Sequence, residues 1–324
     1  MPIKSVEVNR VVLAAVETTE NTLVAAAAAN VILTNNLQAA DLVYDAELLQ
    51  FDSIGADVRD IMEQGSNLHW KFGFDCPVTV SGAVGTKGAL SPILRGCGFN
   101  EIVATTGVTY TPGNASTLDS LTMRLRQEKN ATTHLEYVAG GCRGQLGLEI
   151  VSGKRAVFKI TNMMGSFNMP AEVPAIAPAY GTQKTNLSDQ LLKETLTTYT
   201  LNGKPLCAYS LIVDNLSGFD MKREYDLCNG GSTMGTPVTP VGKLQFTMPD
   251  WTAAAEFNPW VVADPRAMTR IPFVLAYGKT AGKIINLTVT QSQATKPKQV
   301  RLSNGNLGME VDVRFLSGMS LLFK

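Results

Sequence analysis

Apolar and polar residues alternate along much of the chain, and one alternating pattern occurs twice. Leu121, Met123 and Leu125 alternate with Thr122, Arg124 and Arg126, and the run ends at Lys129-Asn130-Ala131. Ile271, Phe273 and Leu275 alternate with Pro272, Val274 and Ala276, and end at Lys279-Thr280-Ala281, 150 residues later. A period of two puts successive side chains on opposite faces, so each run reads as a half-buried strand turning into the next. A repeat this long is a duplicated domain and not a short solenoid unit.

Three further matches follow in the same order. Leu33-Thr34-Asn35-Asn36-Leu37 resembles Ile212-Val213-Asp214-Asn215-Leu216 at an offset of 179. Ser91-Pro92-Ile93-Leu94 and Asn258-Pro259-Trp260-Val261, offset by 167, each open a helix, because Pro after a polar cap wastes no backbone donor. Leu148-Glu149-Ile150 runs into a turn at Ser152-Gly153-Lys154, and Val300-Arg301-Leu302 runs into Asn304-Gly305-Asn306. Gly and Asn tolerate positive φ, which such turns require. The falling offsets give the first copy 12 extra residues before its helix and 17 after it. The second surplus is assigned to Glu101–Ser120, rich in Thr and Gly.

Residues 1–165 then form a first domain, 206–324 a second, and 166–205 a connector in which Pro170, Pro174 and Pro178 recur every four residues. Such a connector is expected to be extended and semi-rigid, with a short helix over Leu187–Leu196. First-domain strands are expected at Val6–Glu17, Val31–Asn36, Leu42–Phe51, Leu68–Val80, Leu121–Gln127, Leu135–Val138, Gln145–Val151 and Val157–Asn162. Second-domain strands are expected at Leu206–Leu216, Val241–Met248, Ile271–Tyr277, Ile284–Thr290, Lys298–Leu302 and Met309–Phe315. Helices are expected at Ser91–Cys97 and Ala253–Val262. Asp52–Asn67 and Cys228–Pro240 read as projecting loops between strands.

Composition narrows the chemistry. Apolar residues make up 45% of the chain, enough for each half to bury a core. Charged residues are only 17%, and 28 basic residues balance 28 acidic ones. Without a basic excess, sustained nucleic-acid binding is not expected, and near-zero charge favours self-association. Five Cys without a Cys-x-x-Cys motif point to reduced thiols and to neither a disulfide framework nor a zinc site. No signal-peptide pattern opens the chain, and the apolar run Leu23–Leu33 is too short to span a bilayer.

Motifs for catalysis are not expected. His69 and His134, the two histidines, have no companion at triad or metal-ligand spacing. Gly82–Gly88 fails as a phosphate loop, because Lys87 is followed by Gly88 and not by Ser or Thr. Gly140–Gly144 lies between strands and not between strand and helix, so it is no dinucleotide fingerprint, and both Gly-rich stretches read as a loop or β-bulge. Glu47, Asp52, Glu136 and Glu149 are acid candidates only as any carboxylate is. The small basic clusters at Lys154, Arg155 and Lys159, at Arg124 and Arg126, and at Lys296, Lys298 and Arg301 read as strand faces or ion pairs. The expectation is therefore a non-enzyme with no catalytic, cofactor or metal residues.

Several stretches together resemble one family: Glu17–Thr22, Ile32–Leu37, Gly88–Phe99, Val108–Pro112 and Glu256–Trp260. Their order is similar to that in major tail tube proteins of long, non-contractile-tailed bacteriophages, and the resemblance spans nearly the whole chain. It implies a mainly β fold of two tandem tail-tube-type sandwich domains, each flanked by a short helix. It also implies rings whose inner sheets join into one barrel, stacked into a virion tail tube assembled in the bacterial cytoplasm, with DNA passing through the lumen. Partners would be other copies and other tail proteins (tape measure, tail terminator, distal tail), with no membrane. Two fused domains imply homotrimeric, pseudo-six-fold rings. The lumen face is expected to be polar and neutral to acidic. The alternatives are a hexameric tube protein whose C-terminal half is an immunoglobulin-like decoration domain, a carbohydrate-binding or adhesive sandwich, and a hydrolase using acidic residues alone.

Overall fold

The computed structural model describes residues 10–35, 42–52, 61–114, 118–226, 230–253, 256–264, 266 and 269–324. The strands of the first half are β1 Arg10–Val16, β2 Val31–Ile32, β3 Leu42–Asp52, β4 Ile61–Pro77, β5 Phe99–Ala104, β6 Gly107–Pro112, β7 Leu121–Glu128, β8 Thr133–Val151, β9 Val157–Ser166 and β10 Ala171–Pro174. Then follow β11 Leu196–Leu201, β12 Lys204–Pro205, β13 Ala208–Val213, β14 Phe219–Asp226, β15 Gly230–Pro237, β16 Val241–Thr247, β17 Ile271–Tyr277, β18 Ile285–Arg301 and β19 Leu307–Phe323. Three short helices are α1 Ser91–Gly96, α2 Gly181–Thr185 and α3 Pro259–Val262. The fold is mainly β, as the alternation predicts.

Strand pairings recur in one order. The first half runs β2–β1–β7–β8, and from the far part of β8 it continues β8–β9–β4–β3. The second half runs β12–β11–β17–β18 and continues β18–β19–β16–β13. All these pairs are antiparallel. The long strands β8 and β18 thus belong to both sheets of their half. The order is matched by register. Leu121 faces Cys142 and Met123 faces Ala139, with a bulge between the pairs. Ile271 faces Ser292 and Phe273 faces Val289, again with a bulge, and all four residues lie 150 further on.

The halves differ by inserts. Residues 17–30 link β1 to β2, where Asn202-Gly203 alone links β11 to β12, so part of the first half's surplus lies upstream of where the sequence offsets put it. After α1 the surplus is the β5–β6 hairpin, which overlaps Glu101–Ser120. Asn35 bridges Asp75 of β4 just as β13 borders β16, so Leu33–Asn35 takes the place of β13.

Several expectations need correction. The halves do not have separate cores. One contiguous cluster includes Phe74, Leu125 and Phe158 together with Leu211, Phe246, Phe273 and Val311. Residues 166–205 are not an extended spacer. They hold β10, α2, β11 and β12, and β11 is the second half's counterpart of β1. Leu187–Leu196 is not helical, because its backbone serves the first half: Ser188 donates to the Val78 carbonyl and Leu191 to that of Lys154. The helix expected over Ala253–Val262 is reduced to Pro259–Val262, capped by the Asn258 side chain on Trp260 and Val261 amides. In α1 the cap position is Leu90, and the Ser91 hydroxyl instead donates to Glu101. Cys228–Pro240 is mostly strand β15, paired with β14 along its length. The strands expected at Leu135–Val138 and Gln145–Val151 are one strand, as are those at Ile284–Thr290 and Lys298–Leu302. Residues 6–9, 53–60 and 227–229 lie outside the described residues.

Candidate assembly surface

The two halves meet edge to edge. Ser210, Leu211, Ile212 and Val213 of β13 pair with Val151, Ile150, Glu149 and Leu148 of β8. The Leu216 amide donates to the Leu146 carbonyl at 2.6 Å, and Ser152 to Tyr209 at 2.7 Å. Alternate residues Leu148, Ile150, Leu211 and Val213 are buried. The joint is therefore strand addition with a shared apolar underside. A continuous sheet results, in the order β3–β4–β9–β8–β13–β16–β19–β18.

A second seam seals the joint from the other sheet. The β5–β6 hairpin leaves the first half and pairs through Val108, Thr109 and Tyr110 with Phe323, Leu322 and Leu321 of β19. The rings of Tyr110 and Phe323 lie 5.5 Å apart. Beneath the hairpin, Glu101 accepts from Tyr110 at 2.8 Å, from the Ser91 hydroxyl, and from Lys87 at 2.5 Å. Burial opposes ionisation of Glu101, but these three donors outweigh it and hold the carboxyl below its usual value. Lys87 of the Gly-rich loop is thus a structural ion-pair partner. The loop itself is a point of close backbone approach: a Cβ on Gly282 would come within 2.3 Å of the Gly82 carbonyl carbon.

Two edges of the eight-strand run remain open among the described residues. β18 pairs with β17 only up to Ser292, leaving its outer side free from there to Arg301. At the other end, no strand pairs with the outer side of Leu33–Asn35 or β3. The sheet's polar face carries Lys71, Lys159, Lys243, Lys296, Lys298 and Arg314 against Asp75, Glu149, Glu310 and Asp312. Three pairs cross strands: Lys159 with Glu149 at 2.5 Å, Lys298 with Glu310 at 2.7 Å, and Lys296 with Asp312 at 3.5 Å. The described part of this face is polar and carries charges of both signs.

Two hairpins form long arms: β3 with β4, and β14 with β15, the latter seated on β8 and β9 through Phe219 and Met221. Arg143 of β8 anchors the second arm. Its guanidinium donates to the Thr233 carbonyl at 2.8 Å and the Leu118 carbonyl at 3.0 Å, and forks onto Glu20 at 2.9 and 3.0 Å. Sequence reasoning missed Arg143, Glu17 and Glu20 because their partners are remote in the chain. Glu17 is 7% exposed and accepts from the Asn21 amide (2.9 Å), Ser120 (2.7 Å), Thr122 (2.9 Å) and the Gly141 amide (3.0 and 3.1 Å). Gly141 is at φ +61° in the bulge, which presents its N–H to that carboxylate.

The other sequence candidates do not converge on a reaction centre. Glu136 is buried between Arg124 and Arg126, one oxygen to each guanidinium. Glu149 sits on the sheet face with Lys159. The side chains of Glu47 and Asp52 lie outside the described residues. Both histidines are 8% exposed. His69 Nδ1 is 2.8 Å from the Asn67 carbonyl, and His134 lies on β8 opposite Val173 of β10. Among the described residues, no group of three or more His, Cys, Asp or Glu could hold a metal, and no helix is long and apolar enough to cross a membrane. No protein-family model matches the chain, and no curated protein matches it either.

Proposed function

We propose that this chain is the building block of a phage tail tube: three copies close into a pseudo-six-fold ring, rings stack, and DNA is ejected through the lumen. The observation that carries the reading is the joint between the halves. One half's inner sheet continues into the other's by strand addition, and the same two edges recur, unpaired among the described residues, at the ends of the run. A unit with matching head and tail edges assembles heterologously, into a ring where the rotation closes. Closure removes the open edges, which otherwise invite aggregation. Three copies of an eight-strand run give 24 strands. At about 4.8 Å spacing and about 40° tilt, they close on a backbone diameter of about 48 Å. Inward side chains take about 5 Å from each wall, leaving a channel wider than a DNA duplex. A wall of paired charges passes DNA without the counterion release that a strongly basic wall would bring.

The repeated pairing order disfavours the hexamer with an immunoglobulin-like second half, because that half repeats the first half's order of paired strands and retains its helix. Cryo-electron microscopy of polymerised protein tests the proposal, with stacked rings of three chains expected. A cysteine pair, Asn35→Cys with Gln299→Cys in a Cys207→Ser background, should give a covalent ladder ending at three, because these positions take the places of Asp214 and Gly147 at the internal joint. Rings of six chains, or a chain that stays monomeric at every concentration, would overturn it.

A further inference from the structure

Helices α1 and α3 occupy the same place in the repeat, but their surroundings differ. Ile93 and Leu94 of α1 are 1% and 0% exposed, enclosed by β1, β7, β8 and strand β5 of the inserted hairpin. Their counterparts 167 residues on, Trp260 and Val261 of α3, are 46% and 66% exposed. Among the described residues no hairpin follows α3, which packs on β18. An aromatic and a branched apolar side chain side by side on a surface mark a contact patch.

The internal joint indicates what covers it. There the first half's hairpin, seated beside α1, pairs with the last residues of β19. Those residues border the start of β18, where Asn286 faces Leu322, just as β10 borders the start of β8, where Glu136 faces Ala171. At a joint between chains, α3 therefore stands where the hairpin stands inside the chain, and the opposing element is β10 of the next copy. The β10 edge is exposed: Met169, just before it, is 76% exposed, and no strand pairs with its outer side among the described residues. Pro170 and Pro174 deny that edge further strand addition, so it is closed by side-chain packing and not by a ladder.

We propose, resting on the ring reading above, that Trp260 and Val261 seat against the Met169–Pro174 edge of a second copy of this chain. Each ring then has two chemically different joints, one sealed by the β6–β19 pairing and one by the α3 apolar face.

Hydroxyl-radical footprinting of assembled tubes against free chain tests this. Oxidation of Trp260 and Met169 should fall together, each about tenfold or more, on assembly. Trp260→Glu should raise the concentration needed for assembly about tenfold, the loss expected for a central aromatic contact, and Trp260→Phe should restore most of it. A short bis-maleimide should join Trp260→Cys to Met169→Cys between chains in the Cys207→Ser background. Tubes that form with Trp260 and Met169 as reactive as in free chain, or with Trp260→Glu assembling normally, would overturn this inference and leave the ring reading standing. Wild-type protein that assembles into nothing would overturn both.

Discussion

Leu211→Ala tests whether the two halves are one cooperative structure. Leu211 is 1% exposed and lies in the joint, facing Ile150 on one side and Leu244 on the other. Its Cδ1 would lie 3.2 Å from a Cβ on Gly242, so it fills the space that glycine leaves. Truncating a buried Leu costs about 2–5 kcal/mol. Unfolding entropy of about 2.1 cal/mol/K per residue, over 324 residues, is about 0.7 kcal/mol/K. A loss of about 3 kcal/mol then lowers a single shared transition by about 4 °C. Were the halves independent, the same loss spread over about half the chain would move one transition by about 9 °C and leave the other in place. Scanning calorimetry separates these outcomes. Two transitions, with only one displaced, would refute the shared core.

Three other perturbations follow. Glu17→Ala strands the Gly141 amide and two hydroxyls in a buried site and should cost about 3–5 kcal/mol in denaturant titration. Glu17→Gln should lose less, and a loss under about 0.5 kcal/mol for the Ala variant would contradict the structural role assigned to this carboxylate. Arg143→Ala should speed amide exchange in β14 and β15 well beyond any change in β7 and β8, and uniform acceleration would show that the arm does not depend on this anchor. The Glu101 carboxyl is held below its usual value of 4.5 in the folded state. Its contribution is therefore present above that value and is lost as pH falls through the folded one. The Tm advantage of wild type over Glu101→Gln should be constant above about pH 5 and shrink in more acidic buffer, and an advantage that grows with acid would refute the assignment.

The fold was unevenly legible in the sequence. Strands β7 and β17 were readable because apolar core positions alternate with others: the second face of β17 is partly exposed, and that of β7, though covered, carries Thr122, Arg124 and Arg126 in a polar network, so the period of two survives in composition. Their shared register, down to the bulge, was readable as an offset of 150. The α3 cap was legible in Asn258-Pro259, because capping is a local contact. Strand β10 was hidden inside an apparent connector, since Pro170, Pro174 and Pro178 mark a spacer as readily as an edge strand with few free donors, and β11 went unread in the same stretch because its partner β17 lies about 75 residues on. The β5–β6 hairpin was legible only as surplus residues, and its pairing with β19 was not legible, because that partner is more than 200 residues away. Arg143 and Glu17 were invisible for the same reason. Their partners reach from Glu20 to Thr233 and from Asn21 to Gly141, and no spacing rule links them.

By itself, then, the sequence determined the kind of element and the recurrence of one strand pattern 150 residues on, because alternation, caps and turns are governed by neighbours within a few residues. The tertiary structure alone decided that the two halves share one core and one sheet, that each long strand serves both layers, and that among the described residues the eight-strand run ends on two open edges. Those are choices of which edges pair, and edge pairing between distant segments depends on backbone groups that every residue carries alike.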